Sequence, residues 1–189
     1  MYKRQTLISS VAAERTDDIC FRQEAFCGLL AETPIHAASV PEFLDRAVDF
    51  ANQTVWGTLA AALFVHPASL EVSEIASAVD RTLANLRYGT ISVNAQAGLA
   101  WSLAVSPWGG FPGQDIYDAQ SGVGWVHNTL MFSHPQKVVL HAPFMESPRS
   151  LALVSRGSAY RRLAPKLVAL EAAPSPWKIP GIVRTAVGW

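Results

Sequence analysis

Cysteine is scarce in this chain, with only Cys20 and Cys27 among 189 residues. Two thiols make no disulfide framework, and their scarcity fits a reducing compartment. An excess of charge of one sign is also missing. Fifteen basic residues balance fifteen acidic ones, so no global field favours nucleic acid or an anionic membrane. No apolar run reaches the roughly 18 residues of a membrane span. The start, Met1-Tyr2-Lys3-Arg4-Gln5, leads into Thr6-Leu7-Ile8 without the apolar core of a signal peptide. No Gly-x-Gly-x-x-Gly turn follows a strand, and no Gly-x-Ser-x-Gly elbow is present. A neutral, cytoplasmic protein is expected, without nucleic-acid partner or membrane span.

What is there is apolar mass. Half of the residues are hydrophobic, enough to bury the core of one domain or a large part of one. Tyr2-Lys3-Arg4-Gln5 reads like the translated end of a sequencing-library transposon. Residues 1–5 are therefore expected to be an adapter scar, with the natural protein continuing upstream of Thr6; an ordinary basic N-terminus is the other reading.

Strand and helix patterns alternate through the first half. Thr6 to Ala12 and Phe26 to Glu32 read as short strands. Ser39-Val40-Pro41-Glu42 has the spacing of a capping box, with proline in the first turn. Phe43, Leu44, Ala47, Val48 and Ala51 then share one helical face. Thr58 to Val65 is nearly all apolar, which suits a buried strand ended by Pro67. Leu70, Ile75, Val79, Leu83 and Leu86 mark a second amphipathic helix, stopped by Gly89. Thr90 to Val93 is the next strand. This order predicts an α/β protein with a mostly parallel sheet and crossover helices.

The second half is looser. Ser106 to Gly113 and Ser121 to Gly124 are glycine-rich loops, and Pro135 to His141 is a late strand. Beyond Pro143, residues 144–189 read as an irregular extension holding a basic helix, Ser158 to Glu171, broken at Pro165. Its Arg156, Arg161, Arg162 and Lys166 beside Leu163, Leu167, Val168 and Leu170 suggest a membrane surface or, with the helix broken, packing against the body or a partner subunit. His127, His134 and His141 recur every seven residues, a spacing that neither helix nor strand turns into a convergent metal site. Asn52-Gln53-Thr54 matches a glycosylation sequon, without a secretory signal to make it matter.

The order of these pieces resembles a family. Glu24-Ala25-Phe26 before a strand is similar to the Glu-x-Phe element of aldehyde dehydrogenases. Ala51 to Leu59 (Ala-Asn-Gln-Thr-Val-Trp-Gly-Thr-Leu) resembles the family's Ala-Asn-x-Thr-x-Tyr-Gly-Leu segment. Leu86 to Asn94, Pro107-Trp108-Gly109-Gly110 and Lys137-Val138-Val139 follow in the family's order. The ordered set spans about residues 6 to 141 and weighs more than any one motif. The resemblance implies that residues 6–143 are the C-terminal part of an aldehyde dehydrogenase catalytic domain from a divergent branch. It implies an NAD or NADP cofactor, an aldehyde substrate and a homo-oligomer paired through the closing strand, around Lys137 to His141.

Site roles follow from the same resemblance. Glu24 would bind the hydroxyls of the nicotinamide ribose, and an ionised carboxylate is a good acceptor for a diol. Phe26 would pack on the nicotinamide, and Trp108 would line the aldehyde tunnel. Asn94, at a strand end, reads as a structural turn-holder. Against these roles stand a solvated strand-edge charge for Glu24 and plain core aromatics for Phe26 and Trp108. The sequence departs from the family at Cys27-Gly28, where Gly-Pro is usual, and at Phe111-Pro112-Gly113-Gln114 in place of Lys-x-Ser-Gly.

No catalytic residue is assigned, because the family's nucleophile, general base and nucleotide-binding domain lie upstream of Glu-x-Phe. Cys27 does not match the catalytic cysteine and reads as a small apolar residue in a buried strand; Cys20 reads as inert. The chain alone is expected to be inactive. Two readings remain: the C-terminal part of a longer aldehyde dehydrogenase, or a short non-catalytic binding or interaction module derived from that fold.

Overall fold

The computed structural model describes residues 5–144 and 157–187. The chain divides into two compact units, Met1–Phe144 and Met145–Trp189. The suggested adapter residues 1–4 and the tail position Arg156 lie outside the described residues.

In the first unit, β1 (Thr6–Ile8), α1 (Ile19–Arg22) and β2 (Leu29–Ala31) form a small βαβ piece with the two strands parallel. Helix α2 (Val40–Gln53) follows, then β3 (Ala60–Leu63), α3 (Pro67–Leu70), α4 (Ser73–Asn85) and β4 (Thr90–Val93). After α5 (Gly98–Leu103), β5 (Trp108–Gly109) and β6 (Trp125–Val126) pair antiparallel, and β7 (Val138–His141) closes the unit. A three-stranded parallel sheet runs β3-β4-β7, with Ala60 opposite Thr90 and Thr90 opposite Val138. The protein is therefore mixed α/β with small parallel sheets.

Local chemistry explains the main elements. Ser39 accepts the Glu42 N–H at 3.3 Å and caps α2, with Pro41 in the first turn. The Glu42 carboxylate reaches back to the Ala38 N–H at 2.8 Å. Leu44 and Val48 then project inward one turn apart, each burial being worth about 1.5–3 kcal/mol. Leu44 packs with Val65, Ala78 and Val79, and Val48 packs with Leu86 and Ile91. These two clusters glue α2 and α4 to one face of the sheet. Central β4 is buried at all four positions.

Several expectations need correction. Phe43 is exposed and does not share the buried face of α2. The alanine-rich β3 is an edge strand, half-buried, with Ala62 in solvent. Pro67 opens α3, where its missing N–H costs nothing, and the second amphipathic helix is split into α3 and α4. The helix stops at Asn85, ahead of Gly89. The strand expected from Phe26 begins only at Leu29, because Phe26 adopts φ of 44° in the preceding loop. Cys27 is accordingly exposed and lies outside any strand.

The second unit holds the helix expected over Ser158 to Glu171, without the expected break, and a further helix where the tail was expected to be irregular. Helix α6 (Gly157–Ala172) runs through Pro165 unbroken. A 3-10 turn (Pro176–Lys178) leads into α7 (Ile179–Val187). Lys178 Nζ donates to the Ala169 and Ala173 carbonyls at 2.7 and 2.6 Å, and Lys166 Nζ to that of Gly181 at 3.2 Å. The two Lys178 bonds cover carbonyls at the C-terminal end of α6, where a helix leaves them unpaired. Among the described residues no helix is long and apolar enough to cross a membrane.

Candidate functional site

Three of the resembling segments meet around one cavity. The backbone N–H of Trp56 donates to the Phe21 carbonyl at 2.7 Å, tying the end of α1 to the turn after α2. The Phe21 ring meets Phe50 edge-on at 5.0 Å, which fixes the same junction from the apolar side. Glu24 is carried from this anchor into the wall of a cavity of about 310 Å³, alongside Val55, Trp56, Leu59, Tyr88 and Ser121. Among the described residues nothing hydrogen-bonds or pairs with the Glu24 carboxylate.

A set of backbone bonds shapes this cavity. The Thr58 carbonyl accepts from Gly89 and Phe111 N–H groups at 2.8 and 3.0 Å. The Thr58 N–H donates to Ser121 Oγ at 2.7 Å, and Gln114 Nε2 donates to Thr58 Oγ1 at 3.1 Å. Both glycine-rich loops are thereby fastened to the residue that follows Gly57. Gly57 itself has φ of 97°, a backbone form open to glycine. A Cβ on Gly89 would fall 1.8 Å from the Gly109 carbonyl oxygen, so only glycine admits this approach.

The sequence-assigned residues do not all converge. Glu24 lines the cavity. Phe26, two residues on, is 87% exposed and does not line it. Trp108 lies in β5 with its ring 5.9 Å from Trp101, and Trp101 lies 4.4 Å from the His127 ring. That aromatic cluster is not part of the Glu24 cavity. The aromatic residues that do line the cavity are Phe21 of the α1 anchor, together with Trp56 and Tyr88. Trp56 and Tyr88 stand inside the quoted segments, yet only the parallel crossover, which returns both turns to one end of the sheet, marks them. Ser121 had only its glycine-rich turn as a signal.

Electrostatics separates donors from acceptors. Burial pushes the Tyr88 phenol above its usual range, so it stays a protonated donor at neutral pH. Cys20, which also lines the cavity, has its thiol pushed up by burial and then by the neighbouring Asp18. Asp18 is held below its usual range, chiefly because it accepts the Cys20 N–H at 3.0 Å. A raised thiol is a poor nucleophile. Asn94, at φ of 59°, accepts the Val65 N–H through Oδ1 at 2.8 Å and so holds the exit of β4 against that of β3. Among the described residues no three His, Cys, Asp or Glu side chains cluster to hold a metal ion, and His134 and His141 are exposed.

No family model matches the chain, and neither a curated protein nor a solved structure similar to it was found.

Proposed function

We propose that this chain is the C-terminal part of the catalytic domain of a cytoplasmic NAD(P)-dependent aldehyde dehydrogenase, whose complete form oxidises an aldehyde to a carboxylic acid. The convergence of Glu24, Trp56 and Tyr88 on one cavity carries the reading. These residues come from three separate segments of the ordered motif set, and their chemistry suits one end of the cofactor. A free carboxylate accepts from a ribose diol, and aromatic walls keep a planar ring still. The cavity volume is at the lower end of small-molecule sites, which matches a nicotinamide riboside end and not a whole dinucleotide.

When bound, the nicotinamide ring accepts the hydride that leaves the substrate carbon. This chain's own part is to bind and orient. Glu24 takes the sugar hydroxyls, Trp56 and Tyr88 bound the ring, and the Thr58 bonds hold the loops around them. Phe26 stands on the loop beside Glu24 as the aromatic that would cover the ring, and Trp108 keeps the aldehyde-tunnel role that the resemblance implies. The cysteine nucleophile is assigned to residues upstream, since Cys20 is held protonated and Cys27 has no positional match. Association through the exposed edge of β7 is the expected route to a homo-oligomer.

The test is expression of the whole reading frame that contains this chain, followed by assay of aldehyde-dependent reduction of NAD or NADP. Reduction is expected, with Glu24→Gln weakening cofactor binding about tenfold or more through loss of a charged acceptor. A whole reading frame with no upstream cysteine nucleophile and no aldehyde-dependent reduction of NAD or NADP would favour the second reading, a non-catalytic module. Unchanged kinetics in Glu24→Gln would remove Glu24 from the site.

A further inference from the structure

A larger hollow shares the Val55–Gly57 turn with the Glu24 cavity. This cleft of about 640 Å³ is lined by Arg22 and Arg87 together with Gln53, Trp56, Phe111 and Gln120, among others. No aspartate or glutamate lines it, although acidic and basic residues are equal in number over the whole chain. Arg15, Arg46 and Arg81 stand in ion pairs, whereas among the described residues neither Arg22 nor Arg87 has a partner for its guanidinium.

The simplest structural role for Arg87 would be to satisfy the carbonyls at the end of α4, and that role is taken. Lys137 Nζ occupies the Leu83, Ala84 and Leu86 carbonyls, and Asn52 Nδ2 occupies that of Asn85. The end of α2 does border the cleft through Ala51 to Thr54. Its partial charge is only about −0.5, against two full positive charges. A net positive hollow with aromatic walls remains.

We propose that this cleft binds an aromatic phosphate monoester. Such a group carries about −1.5 to −2 charge at neutral pH and offers oxygens that match the guanidinium fork. Its ring would lie against Trp56 and Phe111. Trp56 borders both hollows, but the proposal rests on Arg22, Arg87 and Phe111, which line this cleft and not the Glu24 cavity, so it does not depend on the nicotinamide reading.

Isothermal titration calorimetry of the full chain with phenyl phosphate, and with benzyl alcohol as the uncharged probe, tests it. Saturable one-to-one binding of phenyl phosphate is expected, with no saturable heat from benzyl alcohol. Arg22→Gln and Arg87→Gln should each weaken binding about tenfold or more. Arg81→Gln, which removes a cation paired with Asp45 away from the cleft, should change it less than about twofold. Arg87→Lys keeps the charge without the fork, and its affinity should fall between wild type and Arg87→Gln. Absence of saturable binding, equal affinity for benzyl alcohol, an equal loss in Arg81→Gln, or wild-type affinity in both Arg87 variants would each overturn the proposal.

Discussion

The Lys137 ammonium donates to the Leu86 carbonyl at 2.7 Å and, in the same place, to Ala84 at 2.7 Å and Leu83 at 3.1 Å. One side chain from the residue before β7 therefore closes the C-terminal end of α4. The positive charge also complements the helix dipole, and the ammonium stands 5.4 Å from the Phe111 ring centre. The edge strand, the main crossover helix and the loop after β5 are joined at this point.

Removing the ammonium should be costly. Lys137→Met is expected to lower stability by about 1–2 kcal/mol, read as a lower urea midpoint. Burial holds the Lys137 pKa below its ordinary 10.5. Between that lowered value and 10.5 the unfolded chain binds more protons than the folded one, so this group's contribution makes stability rise with pH there. The Met variant should lack that alkaline rise. An identical pH profile in both proteins would show that Lys137 does not titrate as described.

Gly89 offers a purely steric test. A methyl group at Gly89 would lie 1.8 Å from the Gly109 oxygen and 2.9 Å from the Gly109 carbonyl carbon, both backbone atoms that no rotamer change can move. Gly89→Ala should destabilise the protein by about 3 kcal/mol and loosen the loops that frame the Glu24 cavity. Gly113 is the comparison, since a Cβ there meets nothing within 4 Å and the cost comes only from its φ of 128°. A smaller loss of about 1 kcal/mol is expected for Gly113→Ala. Equal unfolding midpoints for the two variants would rule out the close approach.

What the sequence made legible was local. The capping residues around Ser39 and the short segment Thr90 to Val93 between Gly89 and Asn94 are local signals, and α2 and β4 form where they stand. The apolar run from Leu59 to Val65 signals a strand but not its place in a sheet. It became an edge strand because β7, far along the chain, took the other side of β4. The same limit applies to the candidate site. Glu24 stood out as a carboxylate beside an aromatic, while Trp56 and Tyr88 reach its cavity only through the crossover that brings two distant turns together. Phe26 was assigned to a strand by its apolar neighbours, and nothing nearby announced its left-handed backbone. At Pro165 the surrounding helix kept its course despite the lost N–H, which a residue-by-residue rule treats as a break.

Asn94 separates backbone conformation from side-chain bonding. Its left-handed φ of 59° favours asparagine or glycine, and its Oδ1 takes the N–H of buried Val65. Asn94→Ala loses the bond and adds strain, so about 2–3 kcal/mol of destabilisation is expected. Asn94→Gly loses only the bond and should cost about 1 kcal/mol less than the alanine variant. Thermal unfolding of the pair measures the difference, and equal losses would mean that the backbone is not strained here.

The two thiols should differ in reactivity for reasons visible in their surroundings. Cys27 is exposed on the loop before β2, whereas Cys20 is partly buried and its thiol is pushed up by that burial and by Asp18. Iodoacetamide attacks the thiolate, so at mildly alkaline pH Cys27 should be alkylated first and Cys20 much more slowly. Asp18→Asn removes the nearby negative charge while leaving an oxygen for the Cys20 N–H, and it should speed the labelling of Cys20 without changing Cys27. The raised thiol also has a stability consequence. Its contribution is fully present below the unfolded thiol pKa, and it is lost as pH climbs through the folded value, which lies above 9.0. Peptide mapping by mass spectrometry after timed labelling reads both rates in one experiment. Equal rates at the two positions, or no acceleration of Cys20 in Asp18→Asn, would contradict the assignment of Cys20 as the protected thiol in the wall of the Glu24 cavity.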